Sequence, residues 1–117
     1  MNSEESHTDL GSIRIHKNVI ASIASLAAIE ISGVKRIGGD FKSGVIELIG
    51  RKPHLSVKVE INKNEEVRVG VPIVIKYGFN IPDIANRVQE NVRLALEKMT
   101  NLSIKDVDVM VQAIEKE

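Results

Sequence analysis

The chain contains no cysteine and no tryptophan, and its aromatic residues are a single tyrosine and two phenylalanines. The missing thiols exclude disulfides, thiol catalysis and thiolate metal sites, and they suit a reducing compartment. No apolar run approaches the roughly 20 residues of a membrane span, and residues 1–10 lack the apolar core of a signal peptide. We therefore expect a soluble protein of the cytoplasm.

The 117 residues fit one domain that can bury a core without metal or disulfide support. Residues 1–10 are largely polar, so ordering them would cost entropy while burying almost no apolar surface. This predicts a disordered tail that precedes one domain over residues 11–117. Ile13 and Ile15 alternate with polar residues and predict a short strand at the start of that domain.

Apolar residues next recur at helical spacing and predict a first long helix that ends at a Ser-Gly pair: Val19, Ile20, Ile23, Ala24, Ala27, Ala28 and Ile31. Leu26 and Ile29 add apolar surface beyond this stripe. Only Ser22, Ser25 and Glu30 then remain as a thin polar side. Since a helix in a two-layer sandwich buries one stripe, Leu26 and Ile29 are surplus. Either another segment of the same chain covers them, or they form a contact between copies of the chain.

The middle of the chain predicts strands around one short helix. Val34–Ile37 has the pattern of a brief strand, and Asp40 can cap a short helix over Phe41–Ile49. Alternating apolar residues then predict a hairpin with one buried face: Leu55, Val57, Val59, Ile61, Val67, Val69, Val71, Ile73, Ile75 and Tyr77. Pro72 cannot donate to a strand ladder, so it favours an edge position or a nearby bulge.

The strongest local pattern lies in the last third of the chain. Asn80 can cap a helix, Pro82 sits where a missing N–H is harmless, and Asp83 faces the positive helix end. The apolar stripe of this second helix must be buried and consists of Ile84, Ala85, Val88, Val92, Ala95, Leu96 and Met99. Alternation over residues 104–114 predicts a final strand with one buried face.

This order of elements predicts a two-layer α+β sandwich. One mixed sheet of four or five strands would carry both long helices on one face, because right-handed crossovers place them there. The other face of the sheet is then mostly wet and carries charged side chains: Lys58, Glu60, Arg68, Lys76 and Asp108.

Basic and acidic side chains cancel over the whole chain, sixteen against sixteen, but the middle third is locally positive. We interpret four of its basic residues as a partner-binding surface: Lys35, Arg36, Arg51 and Lys52. An acidic protein or anionic membrane headgroups would use these residues equally well. RNA is less favoured than a plain solvated loop, because no GxxG loop joins two helices and the aromatic side chains are expected to pack inside.

No motif in the chain supports catalysis. The Gly-Gly-Asp-Phe segment that ends at Phe41 is similar to the signature loop of cyclic-dinucleotide synthases, but Lys42 stands where the next acid is needed. His7, His16 and His54 lack metal-ligand spacing, and neither a phosphate-binding loop nor a serine nucleophile elbow occurs. We expect no enzyme activity, no metal and no cofactor.

A series of short motifs, taken in order, resembles the alkaline shock protein family of bacterial envelope stress response proteins. They run from about residue 11 to residue 114: Gly11-x-Ile13-x-Ile15, Val19-Ile20-x-x-Ile23-Ala24-x-x-Ala27-Ala28, Gly33-Val34, Tyr77-Gly78-x-Asn80-Ile81-Pro82, Val88-Gln89-Glu90-Asn91-Val92, Met99-Thr100-x-Leu102 and Val107-x-Val109-x-Val111-Gln112. Each motif alone is ordinary apolar patterning, so the specificity lies in their ordered combination.

The resemblance implies a non-enzymatic cytoplasmic scaffold or interaction module that acts close to the membrane. It also implies self-association, which favours the contact between copies at Leu26 and Ile29, and a small membrane-anchored protein as a partner. The family supplies no catalytic residues to carry over to this chain. Two alternative functions remain. One is a small RNA-binding domain. The other is a regulator of a lipid-synthesis enzyme, because some family members are encoded near genes of lipid metabolism.

Overall fold

The computed structural model describes residues 2–39 and 56–116, with side chains from residue 16 onward. Its elements in chain order are α1 (Asn2–Ile29), β1 (Val34–Ile37), β2 (Lys58–Ile61), β3 (Glu66–Lys76), α2 (Ile81–Met99) and β4 (Ser103–Glu115). The strands form one mixed sheet. The predicted α+β sandwich is therefore confirmed, while the predicted short helix over Phe41–Ile49 lies outside the described residues.

Strand β3 is the centre of the sheet. Strand β4 runs parallel to it along its whole length, from Glu66 beside Ser103 to Lys76 beside Glu115. On the other side, β2 pairs antiparallel with the first half of β3, and β1 pairs antiparallel with the second half. The two short strands thus form one edge of the sheet, with a gap between them. The chain leaves this edge after β1 and returns to it at β2. The predicted hairpin is confirmed as the β2–β3 pair.

This interruption explains how a central strand contains Pro72. The Pro72 carbonyl accepts a hydrogen bond from the Gly38 N–H at 2.9 Å. Its nitrogen points to the same side, where β1 has ended and β2 has not begun, so no ladder bond is lost there. The predicted edge position is wrong. The predicted bulge is present, because the register between β3 and β4 shifts between Ile73 and Val74.

Both helices cover the same face of the sheet, and β3 forms the floor of the core. The five apolar side chains on that face of β3 are at most 2% exposed: Val67, Val69, Val71, Ile73 and Ile75. The helices cover them with further buried residues: Ile20, Ala24, Ala27 and Ala28 from α1, and Ile84, Val88, Val92 and Leu96 from α2. Burying a large aliphatic side chain is worth about 1.5–3 kcal/mol, so this layer contributes most of the hydrophobic stabilisation.

Helix α2 begins as the sequence predicts. The Asn80 side-chain oxygen accepts a hydrogen bond from the Asp83 backbone N–H at 2.9 Å, and Pro82 lies in the first turn. At the other end, the hydroxyl and the backbone N–H of Thr100 both donate to the Leu96 carbonyl, at 2.7 and 2.9 Å. Both helix ends therefore have partners for backbone groups that the helix itself leaves unpaired.

Helix α1 begins earlier than the sequence predicts. It runs without interruption from Asn2, so no strand forms at Ile13 and Ile15. Residues 2–10 are also helical, where the sequence predicts a disordered tail. A helix pairs its own backbone groups and needs no neighbouring strand, which lets α1 continue past the sheet. At its C-terminal end the chain turns through Gly33, whose φ of 106° is readily adopted only by glycine.

On the sheet face away from the helices, one half is exposed to solvent and the other half is partly buried. Four of the predicted polar residues are exposed there: Lys58, Glu60, Arg68 and Asp108. The prediction fails at Val74, which is fully buried on this face. Arg36 pairs with Val74 across β1 and β3, and its guanidinium reaches the Glu115 carboxylate on β4 at 2.6 Å. This ion pair spans β3 on the face where Val74 lies.

Candidate interaction surfaces

Helix α1 carries an apolar stripe on the side turned away from the core. Val19 is 45% exposed, Leu26 65% and Ile29 43%. Steps of seven and three residues place them on one outward line of the helix, and the small Ser22 lies on the same line. Within the described part of the chain, the two side chains that the sequence identifies as surplus, Leu26 and Ile29, are therefore left largely uncovered.

Helix α2 also carries an exposed apolar side chain. Asn91 donates a hydrogen bond to the Ala27 carbonyl at 2.7 Å, which fixes α2 beside α1. Leu94, one turn further along α2, is 54% exposed. The exposure of Leu94 was not predicted, and the prediction that Val19 lies in the buried stripe is wrong. The seven-residue step from Val19 to Leu26 could have indicated that Val19 lies on the exposed face with Leu26, since residues seven apart share one face of a helix.

The predicted polar side of α1 is only partly exposed. Ser25 is 4% exposed, and its hydroxyl donates to the Ser22 carbonyl at 3.0 Å. The expectation that Ser25 lies on the polar side is wrong. Ala21 and Ala28 beside it are also buried, so the buried arc of α1 is wider than the stripe that the sequence predicts. The local hydrogen bond removes the cost of burying this hydroxyl.

Two of the four predicted partner-binding residues make contacts within the chain. The Lys35 ammonium lies 2.6 Å from the Lys116 carbonyl oxygen and 3.4 Å from the Glu115 carboxylate. Arg36 contacts the same carboxylate at 2.6 Å. Both cations belong to β1 and their partners to the end of β4, so these contacts fasten two strands that are separated by β3.

The other two predicted partner-binding residues, Arg51 and Lys52, lie outside the described residues. The binding role of all four basic residues therefore stays a prediction. Of the aromatic residues, Phe41 also lies outside, whereas Tyr77 is 70% exposed and Phe79 43%. The expectation that aromatic side chains pack inside is wrong for these two, because they occupy the turn that follows β3 and not a buried strand position.

The described residues contain no group of three or more His, Cys, Asp or Glu side chains that could hold a metal ion. The pKa of Glu66 is lowered, first by the hydrogen bond from the Asn62 amide at 2.8 Å and then by the charge of Lys105. That carboxylate lies at the β2–β3 turn, where it fastens the hairpin. No helix in the described ranges is both long and apolar enough to cross a membrane.

The fold and its surface define a small α+β protein with an exposed apolar stripe on α1. A model of the alkaline shock protein 23 family, which is described as having a cell envelope-related function, matches residues 5–116. The chain therefore belongs to this family, and the resemblance noted in its motifs is confirmed.

Relatives of the chain occur in Bacillus subtilis and Streptococcus pyogenes. The chain is 37% identical over 116 residues to the uncharacterized protein YqhY of Bacillus subtilis, a match that covers 98% of this chain and 84% of YqhY. It is 29% identical over 115 residues to YloU of the same organism, covering 96% and 95%. A stress response regulator gls24 homolog of Streptococcus pyogenes is 26% identical over 103 residues, covering 86% of this chain and 57% of the homolog.

The fold also has a counterpart among solved structures. The MamM CTD superposes with a TM-score of 0.53 at 13% identity, covering 84% of this chain and 98% of that chain. A second variant of the MamM CTD gives a TM-score of 0.52 at the same identity. At this identity the likeness concerns the architecture of helices and sheet alone.

Proposed function

We propose that this chain is a non-enzymatic envelope stress response protein, a scaffold that binds copies of itself and other proteins in the cytoplasm close to the membrane. Membership of a family with a cell envelope-related function supports the stress and envelope part of this proposal. The observation that carries the scaffold part is the outward apolar stripe of α1. A contiguous apolar stripe on an exposed helix face is typical of a surface that meets a partner.

The stripe suits a contact between two copies of the chain. Fully burying a leucine or isoleucine side chain is worth roughly 1.5–3 kcal/mol, and two-fold symmetry would bury Leu26 and Ile29 twice. After the entropy cost of association is subtracted, this supports a weak to moderate dimer. Ser22, on the same line of the helix, is small enough to let the helix of a second copy approach closely.

The test replaces the stripe with charges. Leu26→Glu combined with Ile29→Lys should lower the mass measured by light scattering at high protein concentration. Both side chains are exposed in the single chain, so the circular dichroism spectrum should not change and thermal melting should stay cooperative. Leu94→Glu is the matched control, because Leu94 is similarly exposed but lies on α2, and it should leave the mass unchanged.

Three results would contradict self-association through α1. The first is a wild-type protein that stays monomeric at high concentration. The second is unfolding of the double variant, which would show that Leu26 and Ile29 are covered within one chain. The third is an equal loss of mass in Leu94→Glu, which would show that the contact is not specific to the stripe.

The proposed scaffold also binds partners other than a second copy of the chain. A small membrane-anchored protein is the first candidate and a lipid-synthesis enzyme the second. A pull-down from native cytoplasm in mild salt, followed by mass spectrometry, should recover one of these. Cell fractionation should place the chain with membranes and release it with moderate salt without detergent, because the attachment would be through a protein partner.

A further inference from the structure

The outer edge of β4 differs from the other edge of the sheet. Strand β4 spans thirteen residues, Ser103–Glu115, and pairs with β3 along one side. Among the described strands no other pairs with it. An unpaired strand edge presents a row of free N–H and C=O groups, and proteins usually protect such an edge with charges, proline or a covering element.

Helix α2 covers the first half of this edge. Gln89 donates to the Val107 carbonyl at 2.8 Å, and Arg93 donates to the Ile104 carbonyl at 2.9 Å. These contacts also show which backbone groups point outward. Since the N–H and C=O of one residue point to the same side of a strand and alternate residues point to opposite sides, Val109 and Val111 follow Val107 in facing outward.

The second half of the edge, Val109–Ile114, has no such cover within the described residues. Its sequence, Val-Met-Val-Gln-Ala-Ile, contains no charge and no proline. Val109, Met110, Val111 and Ala113 are half-buried, and Ile114 is 46% exposed. Apolar side chains therefore flank the outward backbone groups on both faces of the sheet. Within the described residues no charge, proline or covering element protects them, and the bulge at Gln112 lies beyond Val109 and Val111.

Such an edge fits an extended strand whose side chains are apolar. Main-chain hydrogen bonds to the outward groups of Val109 and Val111 would supply affinity, and alternate side chains would pack on the two faces. Asp108 borders the open half on the face away from the helices, and it is exposed and makes no ion pair among the described residues. A basic residue opposite Asp108 would complement its charge.

A second copy of β4 fits this edge poorly. The bulge at Gln112 places Val109 and Ile114 on the helix side and Met110 and Ala113 on the other side. The antiparallel two-fold pairing that matches these faces along the whole of Val109–Ile114 sets Val109 opposite Ile114. The same register sets Asp108 opposite Glu115 of the other copy, and like charges directly opposite each other destabilise a strand pair.

We propose that Val109–Ile114 of β4 is a strand-addition site for an extended segment of a different protein, with alternating apolar residues and a lysine or arginine opposite Asp108. This surface is separate from the stripe on α1. A failure here leaves self-association through Leu26 and Ile29 untouched, because that contact is measured by mass and this one by amide protection.

The probe is a synthetic, terminally blocked hexapeptide of alternating valine and threonine with one central lysine. In the full chain, nuclear magnetic resonance should show the amides of Val109 and Val111 exchanging rapidly with solvent, while that of Met110, which points to β3, is protected. At about 5 mM peptide, exchange at Val109 and Val111 should slow by about tenfold or more. Asp108→Lys should weaken this peptide at least threefold, about the effect of one cross-strand charge pair, and favour a glutamate version of it.

Val111→Pro removes one outward N–H without breaking a bond to β3, so it should abolish the protection. Val111→Thr, which keeps the N–H and the branched shape, should retain it. If Val111→Pro does not fold, the Asp108 charge swap decides alone. Three findings overturn the proposal: no protection at saturating peptide, protection that rises with protein concentration in the absence of peptide, or amides already protected in the dilute chain.

Discussion

Contacts of single residues fix where a helix begins and how strands are held together. The start of α2 depends on Asn80, whose side-chain oxygen accepts a hydrogen bond from the Asp83 N–H. Arg36 and Glu115 are 79 positions apart in the chain, yet their ion pair spans β3 on the face where Val74 is buried. A contact of that kind depends on strand order, which no local pattern contains.

The Asn80 cap should contribute measurably to stability. Asn80→Ala removes the acceptor for the Asp83 N–H and should lower the free energy of unfolding by about 1 kcal/mol. Urea denaturation followed by circular dichroism measures this. Asn86→Ala is the matched control, because Asn86 is exposed in the same helix and caps nothing, and its change should stay within about 0.5 kcal/mol. Equal losses in both variants would contradict a capping role.

The carboxyl of Glu66 should titrate below its ordinary pKa of 4.5. A lowered pKa in the folded state means that the contribution to stability is present at neutral pH and is lost as the pH falls through the folded-state value. Because the Asn62 hydrogen bond is the largest cause, Asn62→Ala should raise the pKa toward the ordinary value. Nuclear magnetic resonance titration of the Glu66 side chain measures the shift. An unchanged pKa in the variant would assign the effect to Lys105 instead.

At the scale of elements, the sequence predicts those with strong local periodicity. Helix α2 and the β2–β3 hairpin follow from spacing, caps and a turn that lie within about 20 residues. The start of α1 and the interrupted edge of β1 and β2 do not. Ile13 and Ile15 suit a strand locally, yet they lie within α1 and none of the described strands pairs with them. A helix pairs its backbone groups without a neighbouring strand. The gap between β1 and β2 follows only from the way both strands pair along the same side of β3.

The packing of α2 on the sheet leads to a direct test. Val88 is fully buried between α2 and the strands, so Val88→Asp would bury an unpaired carboxylate and should unfold the domain, at a cost of roughly 4 kcal/mol or more. Leu94→Asp puts the same group on the same helix at a position that is 54% exposed, and it should fold. Thermal melting by circular dichroism separates the two. A cooperative transition at the wild-type temperature in Val88→Asp would contradict the architecture.

At the scale of the whole molecule, the candidate surfaces were only partly predictable. Leu26 and Ile29 stand out in the sequence because one helix stripe is enough to cover a sheet, and they are exposed in the fold. The contacts of the basic residues, in contrast, could not be predicted from the sequence. Lys35 and Arg36 belong to a positive stretch of sequence, yet in the fold they lie against Glu115 from the far end of the chain.

The contacts with Glu115 distinguish Lys35 and Arg36 from Arg51 and Lys52, although the two pairs look alike in the sequence. Reversing Lys35 and Arg36 to glutamate would place two carboxylates beside Glu115 and should lower the free energy of unfolding by about 1 kcal/mol, a modest value because these groups are partly exposed. Arg51→Glu with Lys52→Glu should leave stability nearly unchanged and weaken partner recovery in pull-downs at low salt.

The matched control is Lys17→Glu with Lys63→Glu, which alters net charge equally at two exposed positions that form no ion pair among the described residues. It should change neither stability nor partner recovery, since charges scattered over the surface contribute little. Urea denaturation and quantitative pull-downs on the three double variants give the comparison. Equal partner recovery with Arg51→Glu and Lys52→Glu at low salt would remove the docking role. Stability of the Lys35 and Arg36 variant equal to that of the control would show that the contacts with Glu115 do not hold β1 to β4.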